Sequence, residues 1–79
     1  MTEYKVNYLT FRLHDKSESG KTNIWKIISS SIEIGTVKWF GHWRKYVFYP
    51  ADNVLFDTTC LREISDFLSA KTQEHKEAR

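Results

Sequence analysis

Up to Phe56 the hydrophobic residues of this chain fall mostly on alternate positions, and beyond it they fall every third or fourth. The first period marks half-buried strands and the second an amphipathic helix. In residues 4–13, Tyr4, Val6 and Tyr8 share one phase and Leu9, Phe11 and Leu13 the other. The switch between Tyr8 and Leu9 predicts a bulge, or a strand covered on both faces. Residues 14–23 are polar, include Gly20 and read as a surface loop. Residues 24–29 form a second strand, β-branched and apolar, with Trp25 and Ile27 on one side and Ile24 and Ile28 on the other. The connection Ser29-Ser30-Ser31 is too short for a parallel crossover, so an antiparallel hairpin follows.

Residues 32–40 make the third strand, with Val37 and Trp39 facing one way and Lys38 and Phe40 the other. Gly41-His42-Trp43 is the turn. Residues 44–49 return, with Tyr46 and Phe48 on one face and Lys45, Val47 and Tyr49 on the other, and Pro50 ends the strand because it has no N–H to donate. Ala51-Asp52-Asn53 is a further turn, and Val54-Leu55-Phe56 a short last strand or an extended arm. Asp57, Thr58 and Thr59 are helix-cap candidates. Cys60, Leu61, Ile64, Phe67 and Leu68 then lie at helical spacing, with Arg62, Glu63, Ser65, Asp66 and Ser69 on the solvated side and Arg62 and Asp66 placed for an i,i+4 pair. The apolar stripe stops at residue 71, so residues 71–79 read as a polar, disordered tail to a single domain of residues 1–70. The fold class expected is α+β: an antiparallel β-meander of three to five strands packed on one C-terminal α-helix, with one sheet face covered and one open.

Composition changes this picture little. The 79 residues are 41% hydrophobic, 28% charged and 15% aromatic, as expected of a small soluble domain that fills its core with large side chains. One cysteine, Cys60, excludes an internal disulfide. There is no signal-peptide pattern and no apolar run of membrane-spanning length, which points to the cytoplasm of the cell that makes the protein and away from a membrane.

Candidate chemistry is sparse. Cys60 with His14, His42 and His75 has no metal-ligand spacing, and Cys60 opens the apolar stripe as a small core residue. Asp57 is better used as a cap, and Glu63 and Asp66 as part of the solvated helix face; with Asp52 they form no pair isolated in an apolar setting. Ser19-Gly20-Lys21-Thr22 has the tail of a phosphate-binding loop, but Asp15 stands where the first glycine belongs and no helix pattern follows. A single sheet-and-helix layer also leaves little room for a substrate pocket. No catalytic residue, metal or cofactor is therefore expected.

Charge matters through its distribution. The net charge is +2, yet between Glu33 and Asp52 there is no acid, while Lys38, Arg44 and Lys45 interleave with Trp39, Phe40, Trp43, Tyr46, Phe48 and Tyr49. Rings on which bases stack, beside cations that hold phosphates, are what single-stranded nucleic acid requires. The candidate nucleic-acid contacts are Lys38, His42, Trp43, Arg44 and Lys45. The same residues also fit a core with a solvated rim, a surface that docks on a host or phage protein, or a homodimer that hides its aromatic face.

Two resemblances bear on this stretch. Gly35-Thr-Val-Lys-Trp-Phe40 resembles the opening RNA-binding strand of cold-shock domains, which implies that Trp39, Tyr46 and Phe48 stack on bases and that Lys38 meets a phosphate. The likeness is local, Val47 stands where that family has glycine, and we read it as convergence on a good strand sequence. More broadly, Trp25-Lys-Ile, Gly35-x-Val-Lys-Trp39, Trp43-Arg-x-Tyr-x-Phe-x-Pro50, Phe56 and Cys60-Leu-Arg-Glu-Ile-x-x-Phe67 together resemble small uncharacterised proteins of bacteriophages and their bacterial hosts. That implies a phage or mobile-element origin and no assigned activity. The order of sheet then helix is also similar to three-stranded DNA-binding modules such as the AP2 domain and the arm-binding domain of tyrosine recombinases, an analogy of fold alone.

Overall fold

The computed structural model describes the backbone of residues 3–6 and all of residues 9–77. Five strands, β1 (Glu3–Val6), β2 (Leu9–Lys16), β3 (Asn23–Ser29), β4 (Ile32–Phe40) and β5 (Lys45–Pro50), form one sheet in the order β1-β2-β3-β4-β5, and the helix α1 (Thr58–Glu77) follows. Every neighbouring pair is antiparallel. The α+β meander is therefore the fold.

The phase switch at Tyr8 and Leu9 is neither a bulge nor a doubly covered strand. Val6 pairs with Leu9 and Tyr4 with Phe11, so the chain reverses there and the alternation restarts on a new strand. Tyr8 itself lies outside the described residues. Bulges occur elsewhere. One lies between Leu13 and Asp15, so β2 runs on to Lys16 and the polar loop shrinks to residues 17–22. The other lies between Ile27 and Ile28, where Gly35 and Glu33 are the successive partners and Ile34 is the extra residue. That extra residue turns Ile34 into the core. In the β3–β4 turn, Ser30 and Ser31 both have positive φ, as the two-residue hairpin turn that matches strand twist demands.

Alternation sends Leu9, Phe11, Trp25, Ile27, Val37 and Tyr46 to one face, where Ile64 and Phe67 of α1 cover them. Phe67 is the centre of the packing. Its ring stacks on Phe11 at 4.0 Å and meets Trp25 edge-on at 5.2 Å. Gly35 is needed for close approach: a Cβ there would overlap the Phe48 ring and lie 2.7 Å from the Tyr49 carbonyl oxygen. Residues 54–56 form no strand and are an extended arm. Val54 and Phe56 pack on the core, Phe56 edge-on to Phe48 at 5.4 Å, while Leu55 points to solvent.

Asp57 caps α1: its Oδ1 accepts the Cys60 N–H at 2.9 Å, and its carbonyl accepts the Leu61 N–H. This bond to Cys60 holds the Asp57 carboxyl below its ordinary pKa. Two expectations about α1 are corrected. Glu63 is buried, not part of the solvated face. Residues 71–77 are ordered helix, not a disordered tail. Good helix formers dominate this segment, and Lys71 pairs with Glu74 at 3.2 Å and Gln73 with Glu77 at 3.2 Å. It also docks on the sheet. Thr72 Oγ1 accepts the Tyr46 N–H at 3.0 Å, His75 lies 4.4 Å from the Trp39 ring, and Lys71 Nζ sits 5.1 Å above Trp25.

Candidate nucleic-acid interface

Strands β4 and β5 and the turn between them divide the aromatic-basic stretch in two. In the register, Thr36 faces Tyr49, Lys38 faces Val47 and Phe40 faces Lys45, all on the side away from the helix. Between them lie the pairs Val37–Phe48 and Trp39–Tyr46, on the helix side. Trp39 is half-buried, edge-on to Tyr46 at 5.4 Å and capped by His75. Tyr46 is 5% exposed, and its hydroxyl accepts the Asn23 N–H at 3.1 Å. The three residues that the cold-shock likeness implies as base-stackers, Trp39, Tyr46 and Phe48, are thus packed against the core. An antiparallel strand pair shows alternate residues to opposite sides, and here the helix occupies the side they take.

The other half is open. Gly41 to Arg44 form a four-residue turn in which the Phe40 carbonyl accepts the Trp43 and Arg44 N–H groups at 3.2 and 2.9 Å. Arg44 adopts a positive φ of 55°, a left-handed conformation that returns the chain to β5. Trp43 is 64% exposed and braced edge-on against Phe40 at 4.8 Å, with His42 5.5 Å from the same ring. Lys38 Nζ lies 4.7 Å over the Tyr49 ring. The five sequence candidates are therefore gathered at one end of the open face: Lys38 and Lys45 from the strands, and His42, Trp43 and Arg44 from the turn, all exposed. Phe40 and Tyr49 join them. Strand parity puts both on that side, and their use as a ring support and a cation–π partner appears only in three dimensions. Further along the face, Lys26 is engaged by Glu33 at 3.3 Å.

Elsewhere the chemistry is quiet. The string Ser19-Gly20-Lys21-Thr22 lies in the β2–β3 loop, closed by Ser17 N–H to the Thr22 carbonyl at 2.9 Å, and leads into a strand, the wrong geometry for a phosphate loop. Cys60 is half-buried against the core, and burial, followed by its hydrogen bond with Asp57, pushes its thiol pKa up. Among the described residues no group of His, Cys, Asp and Glu is arranged to hold a metal ion, and no helix is long and apolar enough to cross a membrane.

Fold and site together define a small α+β protein: an open five-stranded meander, one covering helix and an exposed aromatic-basic corner. The chain is 32% identical over 47 residues to a protein of Acholeplasma phage L2 described as an "Uncharacterized 9.3 kDa protein", and the match covers 60% of each chain. The chain thus spans 60% of the length of the curated relative it matches. No protein-family model matches it, and no solved structure matches it. The expected likeness to small phage proteins is therefore met at the level of one uncharacterised phage protein.

Proposed function

We propose that this is a non-enzymatic accessory protein of a phage or mobile element that binds nucleic acid through the open face of β4–β5 and the turn at residues 41–44. The observation that carries the reading is Trp43, 64% exposed and held in place by Phe40, on the side that carries Lys38 and Lys45. An exposed tryptophan on a soluble surface exposes a large apolar area, and stacking on one base returns about 1–3 kcal/mol. Lys38, Arg44 and Lys45 supply phosphate contacts around it. The phage relative supports the setting and leaves the ligand open.

The test is anisotropy with labelled single- and double-stranded oligonucleotides across a salt series. Three phosphate contacts give log K against log salt a slope of about −2 on single strands, and Arg44→Ala reduces its magnitude by about 0.7. Arg44→Gly loses the same contact while relieving the left-handed backbone, so binding falls without loss of stability. Absence of binding at low salt contradicts the proposal.

A further inference from the structure

A second surface lies beside α1 and meets the open face only at Lys45. Between α1 and β5 runs a groove of about 560 Å³. Phe48, Leu61 and Leu68 give it apolar walls, Ser65, Ser69, Thr72 and Gln73 add polar groups along α1, and Lys45 and Lys76 supply its charge; among the described residues no acid lines it. Leu61 is 51% exposed there, whereas Ile64 and Phe67 of the same helix are buried in the core. From Leu61 to Lys76 the helix rises about 22 Å. That length exceeds a compact small molecule and fits a peptide segment.

The edge of β5 decides what form the segment takes. Tyr46 N–H points away from β4, because it bonds to Thr72 Oγ1 at 3.0 Å. The outward donors of an edge strand fall on alternate residues, here Tyr46, Phe48 and Pro50. The first is taken by α1, and the last, a proline, has no N–H. Only Phe48 retains a donor, so an added strand would find the ladder interrupted at both ends. A helix needs no backbone partner and places side chains at i, i+3, i+4 and i+7 along such a channel.

We propose that the α1–β5 groove docks an acidic amphipathic helix of a partner protein, its apolar stripe on Leu61, Leu68 and Phe48 and its carboxylates at Lys45 and Lys76. Charge complementarity selects the partner: two lining cations, with no acid beside them among the described residues, reject a basic helix and admit an acidic one, while Phe48, Leu61 and Leu68 take its apolar stripe. This surface is distinct from the nucleic-acid face, and only Lys45 borders both, so the decisive variants avoid Lys45.

The experiment titrates the isotope-labelled full chain with helical peptides of about 16 residues, long enough to fill the groove. One carries Leu at i, i+3, i+4 and i+7 flanked by Glu, a second replaces Glu with Lys, and a third alternates Val and Glu to favour an extended form. The acidic helical peptide is expected to shift the amide resonances of Leu61, Leu68, Thr72 and Lys76 and to bind about tenfold more tightly than its Lys counterpart. Leu61→Ser weakens it about tenfold, and Lys76→Glu removes the preference for acid. Both positions are exposed, so circular dichroism should show an unchanged fold. The proposal is overturned if the acidic helical peptide causes no shifts up to about 1 mM. Equal affinity for both charge versions, or stronger binding of the extended peptide with shifts centred on Phe48, overturns it as well. So does concentration-dependent self-association in sedimentation that Leu61→Ser abolishes, since the occupant would then be a second copy.

Discussion

The two faces of the β4–β5 pair are built from alternate residues of the same two strands, yet they obey different rules. On the helix side, Val37, Trp39, Tyr46 and Phe48 each touch several partners, and Gly35 lacks a side chain because Phe48 fills its place. On the open side, Lys38 lies over the Tyr49 ring, Lys45 is exposed, and Trp43 rests on Phe40 alone among the rings described. Substitutions on the first face should therefore be read in stability and on the second in binding. Aromatic content does not separate the two faces, since each has its rings. What separates them is whether α1 lies above.

The largest expected contrast sets Phe67→Ala against Lys38→Ala in a urea melt. Phe67 stacks on Phe11 and meets Trp25, so truncation costs about 3–5 kcal/mol. That is comparable with the whole net stability a core of this size supplies, roughly 3–5 kcal/mol. Lys38→Ala should stay within about 0.5 kcal/mol. If Lys38→Ala unfolds the protein, the division between the faces fails.

Gly35→Ala is next. One methyl is added, and it meets the Phe48 ring and a fixed carbonyl, so the expected loss is about 1–3 kcal/mol. An equally stable Gly35→Ala protein would mean that Phe48 can move aside, and that the helix side is looser than described.

Thr72→Val asks whether the last turns of α1 are part of the structure. It leaves the Tyr46 N–H without its protein partner, at a cost of about 1 kcal/mol. No change in the urea midpoint would indicate that residues 71–77 contribute nothing to the fold.

The smallest effect comes from Asp57 and is seen in pH dependence. Its carboxyl is held below the ordinary aspartate value of 3.8 by the bond from the Cys60 N–H. A depressed folded-state pKa contributes stability that is present above the unfolded value and lost as pH falls through the folded one. The melting temperature should fall in that acid window, and Asp57→Ala should remove that part of the fall. Identical acid profiles for Asp57→Ala and the native protein would show that the cap does not contribute.

Much of this division was legible in the residue pattern, because strand parity is a local property. Val37 and Trp39 against Lys38 and Phe40, and Tyr46 and Phe48 against Lys45 and Tyr49, follow from alternation once the turn at residues 41–44 is recognised. The α+β meander and the helix after Asp57 were legible for the same reason. What escaped depends on contacts between distant residues. The reversal between Val6 and Leu9 looks like a bulge when only phase is counted. The last turns of α1 carry few apolar residues, yet Thr72 and His75 continue the spacing from Ile64 and Leu68 and reach Tyr46 and Trp39 with polar or mixed side chains. A stripe judged by hydrophobicity alone ends too soon there, and the groove beside β5 disappears with it. Helical position alone puts Glu63 with the solvated residues, but the helix is covered on a wider arc than its apolar residues mark.

The most direct test of the central claim uses the native fluorescence. Trp25 is buried and Trp39 half-buried under α1, whereas Trp43 stands in solvent beside Lys38, Arg44 and Lys45. Titration with a single-stranded oligonucleotide at low salt should quench the emission in a saturable way, added salt should reverse the quenching, and Trp43→Phe should lack most of it. Unchanged emission at low salt, or the same quenching in Trp43→Phe, would contradict the assignment of this corner as the nucleic-acid contact.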